Sequence, residues 1–279
     1  MKKKETLLDK KWISTILWIV FLVIVWESGA CVVAVTKRSP ENILPHLYQI
    51  IAAAFSGKKV SAGMSASMVV LTSAKATVLR AILGLMLGTT AGFLLALLMK
   101  LSGFFEKMLF PYLMLIQLIP VLGLAPIILS ITGDINSSRV IIAAILSFYP
   151  VATNTLAGFK SVDKDKYDLM YTYAAKKRTI YTKVLIPSAI PYFFTGTKIA
   201  APMAITASIL VDTLQGDGGL GCMLSQSLKH AMSIYVFWLI VFFSAFVGIF
   251  SSYLMTWIEI MVSPEKRSRR KGKRLKGRC

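Results

Sequence analysis

Residues 231–258 read AMSIYVFWLIVFFSAFVGIFSSYLMTWI and contain no charged side chain. A helix of about 20 residues crosses the apolar core of a bilayer, so this stretch is long enough to span a membrane. Five more segments meet or approach that length with few charges, at residues 12–35, 81–99, 108–133, 140–159 and 190–211. The sequence therefore predicts an all-α membrane protein with six transmembrane helices.

The composition of the chain supports this prediction. Of its 279 residues, 56% are hydrophobic and 16% are charged, whereas about 25% of residues are charged in soluble proteins. Such a composition excludes a disordered chain and most soluble enzymes. The three cysteines and two histidines are too scattered for a metal cluster or a redox pair, so no cofactor is expected.

The basic residues predict the orientation in the membrane. The chain has 32 Lys and Arg against 13 Asp and Glu, and most of the basic residues adjoin apolar segments. Cytoplasmic loops of membrane proteins are enriched in Lys and Arg, and their distribution here favours both termini in the cytoplasm. We expect a cytoplasmic tail at residues 1–11, a transmembrane domain at 12–262 and a basic tail at 263–279 that contacts anionic membrane lipid. Nucleic-acid binding is not expected.

Two further features concern a row of glycines and two short blocks between the first two predicted spans. Gly84, Gly88 and Gly92 repeat every four residues, so they lie on one face of the second predicted helix. Either they let another helix approach closely, or they reflect the abundance of glycine in membrane helices. Residues 42–57 and 60–74 are too short and polar to span, and they predict interfacial or extracytoplasmic helices.

Prolines interrupt the third and fourth predicted helices, at Pro111, Pro120, Pro126 and Pro150. The carbonyl groups that they free must be satisfied in an interior lined by protein or water, which favours a transport path over a lipid anchor. Candidate path residues on these helices are Gln117, Pro120 and Asn154. A buried polar residue between helices can equally be structural.

Nucleotide-binding and charged motifs are scarce. The chain lacks the phosphate-binding pattern GxxxxGK[ST]. Gly216, Gly218 and Gly221 fit GxGxxG, but they lie in a predicted outside loop without the strand–turn–helix context of a dinucleotide site, and we interpret them as a turn that re-enters the membrane. Lys198 is the one charge well inside a predicted span, where it either extends to the cytoplasmic interface or faces a substrate.

The loop after the fourth predicted helix, residues 160–189, is far longer than a simple connection requires. Leu169, Met170, Tyr173 and Ala174 follow the spacing of one helical face, among seven basic residues. An apolar helix face on a charged cytoplasmic loop predicts a docking site for a partner protein, or alternatively a helix that lies on the membrane surface.

Residues 148–163, FYPVATNTLAGFKSVD, resemble the segment that leads into the EAA loop of binding-protein-dependent ABC importer permeases, most closely the nitrate/sulfonate/taurine branch. That loop has the pattern EAA-x3-G-x9-IxLP, and VLIP at 184–187 is similar to its end. The resemblance then places the acidic position at Asp168, the alanines at Leu169 and Met170, and the glycine at Ala174. Residues 117–126 and 218–221 resemble the family's proline-rich third helix and its last outside loop.

The resemblance implies a MetI-like permease fold and a set of partners. In this family two permeases form the path, two cytoplasmic ATPase subunits drive it and an extracytoplasmic binding protein delivers the solute. The EAA loop forms short helices that sit in a groove of the ATPase, which here implies contacts at Asp168, Leu169, Met170, Ala174, Val184, Ile186 and Pro187. Alanine adopts the left-handed backbone of a glycine less readily, so either the turn differs here or the bend lies elsewhere.

The predicted function is a multi-pass permease subunit of the cell membrane, without an ATPase site of its own and paired with a second permease copy as a homodimer. The resemblance implies a nitrate-, sulfonate- or taurine-like anion, or a thiamine-precursor-like vitamin, as the solute. The alternative is a self-sufficient secondary transporter or channel, which would need internal repeats and midplane ion ligands that the sequence lacks. A membrane-bound enzyme would need clustered His, Asp or Cys.

Overall fold

The computed structural model describes residues 5–37, 43–57, 59–61, 63–215, 218–229 and 234–263. Their helices are α1 (Glu5–Thr36), α2 (Leu47–Phe55), α3 (Ala66–Leu101), α4 (Gly103–Leu118), α5 (Val121–Thr132), α6 (Ile135–Lys160), α7 (Lys164–Thr172), α8 (Lys177–Ile180), α9 (Ile186–Gln215), α10 (Leu220–Lys229) and α11 (Ile234–Val262). Strands β1 (Lys59–Ser61) and β2 (Met64–Ser65) form a short antiparallel hairpin. The predicted tail at 263–279 lies outside the described residues except for Ser263.

The all-α membrane fold is confirmed. Within the described part of the chain, five helices are long and apolar enough to cross a membrane, and the number rises to six if the bent pair α4–α5 is one span. The two halves of that pair, Gly103–Leu118 and Gly123–Thr132, meet at 109°. Pro120 is the N-cap of α5, and a proline at this place ends the hydrogen-bond ladder of α4 because it has no N–H group.

The helix α3 is longer than the sequence predicted. It begins at Ala66, so the second half of the block 60–74 is the first part of this helix, while residues 59–65 form the hairpin. The sequence predicted a separate helix at 60–74 because this block is short and rich in Ser, Thr and Ala, and that separation is wrong, since the helix continues past Lys75 and Arg80 into the apolar run. No glycine or proline lies between Ala66 and Gly84, so nothing in the backbone stops the helix.

Contacts divide the chain into two compact units, residues 1–71 with 223–241 and residues 72–222 with 242–279. In the first unit, two side chains of α1 hold the segment at the start of α2. Glu27 accepts a hydrogen bond from the backbone N–H of Leu47 at 2.9 Å and pairs with His46 Nδ1 at 2.6 Å. The Trp26 indole N–H donates to the Pro45 carbonyl at 3.1 Å. The predicted interfacial block 42–57 therefore contains one helix, anchored by polar contacts.

In the second unit, close helix packing depends on glycine. A Cβ atom at Gly92 would lie 2.8 Å from the carbonyl oxygen of Phe148 on α6, and Gly84 and Gly88 face the same helix as closely. The close-approach interpretation of these three glycines is thus confirmed. Farther along, Gly158 of α6 lies against Tyr192 of α9, where a Cβ atom would be 2.7 Å from the tyrosine Cβ.

We expect Gly92→Leu to lower the melting temperature of the detergent-solubilised protein by about 5–10 °C, because overpacking a tight contact costs about 1–3 kcal/mol. Gly103→Leu is the matched control, since a Cβ atom there would meet nothing within 4 Å. Equal melting of the two variants would contradict the packing role of Gly92.

The start of α6 is fixed by Asp134, its N-cap. The Asp134 carboxylate accepts hydrogen bonds from the Ser137 hydroxyl at 2.6 Å, the Ser137 backbone N–H at 2.7 Å and the Asn136 backbone N–H at 3.3 Å. These bonds, that of the hydroxyl foremost, hold the pKa of Asp134 below its usual range. The ionised carboxylate therefore satisfies the orphan N–H groups of the helix N-terminus.

Candidate functional site

The coupling segment, residues 160–189, folds into two short helices and a wide helical turn. The first helix, α7, ends in a turn at Ala174, and α8 then continues through the turn Tyr181–Leu185 into α9. Ala174 has φ +49° and is the only non-glycine residue of the described chain with a positive φ. Its N–H donates to the Tyr171 carbonyl at 2.9 Å, and the Ala175 N–H donates to the Met170 carbonyl at 3.0 Å. A left-handed residue thus closes α7 at the expected glycine position, and the bend has not moved.

A groove of about 400 Å³ lies between α7 and the start of α9. It is lined by Lys166, Leu169, Met170, Lys183, Val184, Pro187, Ser188, Pro191 and Ser263. The structure therefore brings together four residues that the sequence assigned to the ATPase contact, Leu169, Met170, Val184 and Pro187. Asp168 and Ala174 are exposed outside this lining, and Ile186 is half-buried against the core.

The floor of the groove is continuous with the core of the helices. Val184 is buried in the cluster that contains Phe159 of α6, and Met170 and Tyr167 of α7 pack against the same cluster. The Lys100 ammonium lies 5.7 Å from the centre of the Tyr167 ring, within the range of a cation–π contact. Residues of α6, α7 and α9 thus share one packed cluster below the groove.

The outer surface of the segment is apolar and basic at once. Leu169, Tyr171 and Tyr173 are 55%, 64% and 77% exposed. Residues 160–189 include seven basic and three acidic side chains. Exposed aromatic and aliphatic side chains rimmed by charge are typical of a protein-binding surface.

The three candidate path residues lie on two elements. Gln117 is exposed near the end of α4, and Pro120 begins α5 at the 109° bend. On α6, the Asn154 amide donates a hydrogen bond to the Pro150 carbonyl at 2.7 Å. This bond lies within α6, and the place of all three residues in a path stays a prediction.

A buried ion pair holds α9 to α11. Lys198 Nζ lies 2.6 Å from Glu259 Oε2, and Glu259 is 1% exposed. The Ser252 hydroxyl donates to the Lys198 carbonyl at 2.9 Å. Both interpretations of Lys198 from the sequence missed this partner, because Glu259 is 61 residues away and lies near the end of its own span.

A second buried cluster surrounds Asp212, near the end of α9. Arg139 Nε lies 2.9 Å from Asp212 Oδ1, and both side chains are fully buried. The Thr77 hydroxyl donates to Asp212 Oδ2 at 2.6 Å and accepts from the Leu220 N–H at 2.9 Å. Arg80 lies on the edge of the cluster, with Nη1 3.4 Å from Asp212 Oδ1.

The glycines of the GxGxxG pattern pack against this cluster. Gly218 has φ +70°, and its carbonyl accepts a hydrogen bond from Arg139 Nη2 at 3.5 Å. Gly221 lies so close to Asp212 and to the Ile209 carbonyl that a Cβ atom would clash with both. The pattern therefore forms a turn over a buried ion pair, and Gly216 lies outside the described residues.

Residues 88–263 match the family described as "Binding-protein-dependent transport system inner membrane component". The match covers more than half of the chain and includes the coupling segment. The chain belongs to this family. It is a multi-pass permease of the inner membrane and a subunit of an ABC importer, and membership implies an ATPase and a binding protein as partners.

Three relatives are permeases of the branch that the sequence resembles, or of related vitamin-precursor importers. The formylaminopyrimidine transport permease protein ThiX of Halalkalibacterium halodurans is 32% identical to the permease over 74% of this chain and 77% of the relative. The nitrate import permease protein NrtB of Synechococcus elongatus is 28% identical over 67% and 68%. The putative aliphatic sulfonates transport permease protein SsuC of Bacillus subtilis is 24% identical over 65% and 68%.

Solved structures support the fold. An amino acid ABC transporter superposes with a TM-score of 0.59 and 20% identity, over 70% of the permease and 95% of that chain. The inward-facing MetNI methionine ABC transporter gives a TM-score of 0.63 and 14% identity, over 70% and 97%. The MetI-like fold is thereby confirmed.

We expect Ala174→Gly to stabilise the coupling segment, because a left-handed conformation costs an L-residue about 1–2 kcal/mol that glycine does not lose. The melting temperature of the permease should rise by about 2 °C, and amide hydrogen exchange in α7 should slow. Ala175→Gly is the control, since Ala175 is not among the residues with positive φ and should lose stability instead. A loss of stability in Ala174→Gly would contradict the strained turn.

Proposed function

We propose that the permease forms the solute path of an importer and is driven by a separate ATPase subunit that docks on the coupling segment. The observation that carries this proposal is the left-handed turn at Ala174, which closes α7 beside the groove formed by Leu169, Met170, Val184 and Pro187. The sequence lacks a phosphate-binding loop, which supports ATP hydrolysis by a partner subunit.

The docked segment would transmit movement of the ATPase to the transmembrane helices. Met170 of α7 packs on the cluster that holds Phe159 of α6 and Val184 of the turn that leads into α9. When two ATPase subunits close on nucleotide, the movement of α7 is transmitted through this cluster to the two helices. The broken pair α4–α5, with Gln117 and Pro120 at its bend, and Asn154 on α6 are the candidate path elements.

The orientation that this mechanism needs agrees with the charge distribution. Both termini and the coupling segment lie in the cytoplasm, where the ATPase is, and residues 12–262 form the transmembrane domain between a short N-terminal tail and a basic C-terminal tail. A second copy of the permease completes the path as a homodimer, and the binding protein docks on the opposite side.

The names of the relatives support a class of solute for this permease. Their names record formylaminopyrimidine, nitrate and aliphatic sulfonates as cargo. We assign to this permease a small solute of the same kind, an organic or inorganic anion or a thiamine-precursor-like pyrimidine, selected mainly by the binding protein. Competition of labelled taurine uptake by unlabelled nitrate, sulfonates and pyrimidines, in cells that express the whole importer, tests this assignment.

Purification of the tagged permease from mildly solubilised membranes tests the proposal itself. We expect an ATPase subunit to be recovered with the permease in equal amount. A stable complex that contains no ATPase and transports solute without ATP would contradict the proposal and support the secondary-transporter alternative.

A further inference from the structure

A groove of about 570 Å³ lies between α3 and the first turns of α6. It is lined by Ala76, Leu79, Arg80, Leu83, Leu87, Asn136, Ser137, Val140 and Ile141. The two helices run side by side in the same direction, since Gly84 meets Val140 and Gly92 meets Ala152. The polar residues Arg80, Asn136 and Ser137 therefore lie together at the end of the groove where α6 begins.

The polar end carries a cation with spare hydrogen-bond donors. The guanidinium of arginine has five N–H donors, and in the described part of the chain Arg80 has one polar partner, Asp212, at 3.4 Å. The stronger contacts of Asp212 go elsewhere, to Arg139 at 2.9 Å and to the Thr77 hydroxyl at 2.6 Å. The other nearby carboxylate, Asp134, is bound to the N-terminus of α6.

The other end of the groove is apolar and open. Leu79, Leu83 and Leu87 are 57%, 46% and 56% exposed along one face of α3, opposite Ile141 of α6 at 37%. From residue 80 to residue 87 the helix rises about 10 Å. This length is most of one leaflet of a bilayer whose apolar core is about 30 Å thick.

We propose that this groove binds an anionic phospholipid. The phosphate lies at Arg80 and the side-chain amide of Asn136, and one acyl chain lies along Leu83, Leu87 and Ile141. Arg80 lies level with the first turn of α6, and a charged arginine near the end of the membrane-spanning layer is stabilised by an anion at the membrane interface. A small hydrophilic solute would gain nothing from the leucines, and an apolar helix of a second copy would leave the spare donors of Arg80 without an acceptor.

Native mass spectrometry of the purified full-length permease, in its complex, tests this site. Equal amounts of phosphatidylglycerol and phosphatidylcholine with the same acyl chains are added, and the ratio of bound lipids is measured. Arg80 should contribute about fivefold to the preference for phosphatidylglycerol, as expected of one basic side chain at a membrane surface. Arg80→Gln should therefore lower the measured ratio about fivefold, while Lys75→Gln, which removes an exposed charge from the same helix outside the groove, should leave it unchanged.

A second pair of variants keeps the test decisive if Arg80→Gln does not fold. Leu83→Trp fills the apolar part of the groove without touching the Asp212 cluster, and we expect it to lower the amount of bound phosphatidylglycerol at least threefold. Leu94→Trp, at an equally exposed leucine outside the groove, should not. Unchanged lipid binding in Leu83→Trp would overturn the proposal, as would disulfide crosslinking of two permease copies through Leu83→Cys, which would make the groove a contact between copies.

Discussion

Replacing Leu169 and Met170 together with aspartate is expected to lower the recovery of the ATPase subunit with the permease by at least about 100-fold. Both side chains line the groove beside the turn at Ala174, and Leu169 is 55% exposed, so its apolar surface is available to a partner. Burial of a large apolar side chain such as Leu169 contributes about 1.5–3 kcal/mol, and the two aspartates add the cost of placing charge in an apolar contact, so the loss should exceed about 3 kcal/mol. The measurement is quantitative co-purification of the tagged permease from mildly solubilised membranes.

Thr172→Asp is the matched control for this variant. It adds a negative charge to the same helix at an exposed position outside the groove lining, and we expect less than a twofold change in recovery. The double variant should still insert into the membrane, because α7 carries no part of a span core. Equal recovery of the ATPase with the double variant and with Thr172→Asp would show that the groove is not the docking site.

The second large effect is expected at the buried cluster around Asp212. Asp212→Ala leaves Arg139, whose side chain is fully buried, without its carboxylate partner at 2.9 Å, and such a loss costs about 3–5 kcal/mol. We expect the melting temperature of the solubilised permease to fall by about 10 °C. Fluorescence-detected size-exclusion chromatography after heating measures this fall without a transport assay.

A double variant separates the ion pair from other effects of the substitution. Asp212→Ala combined with Arg139→Met removes both charges and should recover part of the lost stability, as buried pairs do when both partners become apolar. Asp163→Ala is the control, since Asp163 is exposed and 3.8 Å from Lys166, and it should shift the melting temperature by less than 1 °C. A double variant no more stable than Asp212→Ala alone would contradict the assignment.

Much of the architecture could be predicted from the sequence because the bilayer imposes a length and a polarity on each helix. The uncharged stretch 231–258 corresponds to α11, and the glycines at every fourth position of α3 face α6. The family pattern predicts a turn at Ala174, where alanine replaces the glycine that adopts a left-handed conformation most readily. The structure shows that the surrounding hydrogen bonds hold alanine in this conformation.

Long-range pairs could not be predicted in the same way. Lys198 and Glu259 are 61 residues apart, and Arg139 and Asp212 belong to different helices, so only the packing of those helices brings each pair together. The start of α3 was not predicted because Lys75 and Arg80 follow a short block rich in Ser, Thr and Ala, and a one-dimensional pattern cannot show that Arg80 lies against Asp212 of another helix. The sequence shows that a charge lies inside an apolar run, but it does not show which carboxylate of another helix pairs with that charge.

The most direct test of the central claim is solute uptake by proteoliposomes that contain the permease with its ATPase and binding protein. We predict that uptake requires ATP on the side of the ATPase and falls to background when the Leu169 and Met170 aspartate variant replaces the wild-type permease. Uptake by the permease alone, driven by an ion gradient and unaffected by ATP, would contradict the assignment of this chain as the subunit that an ATPase drives.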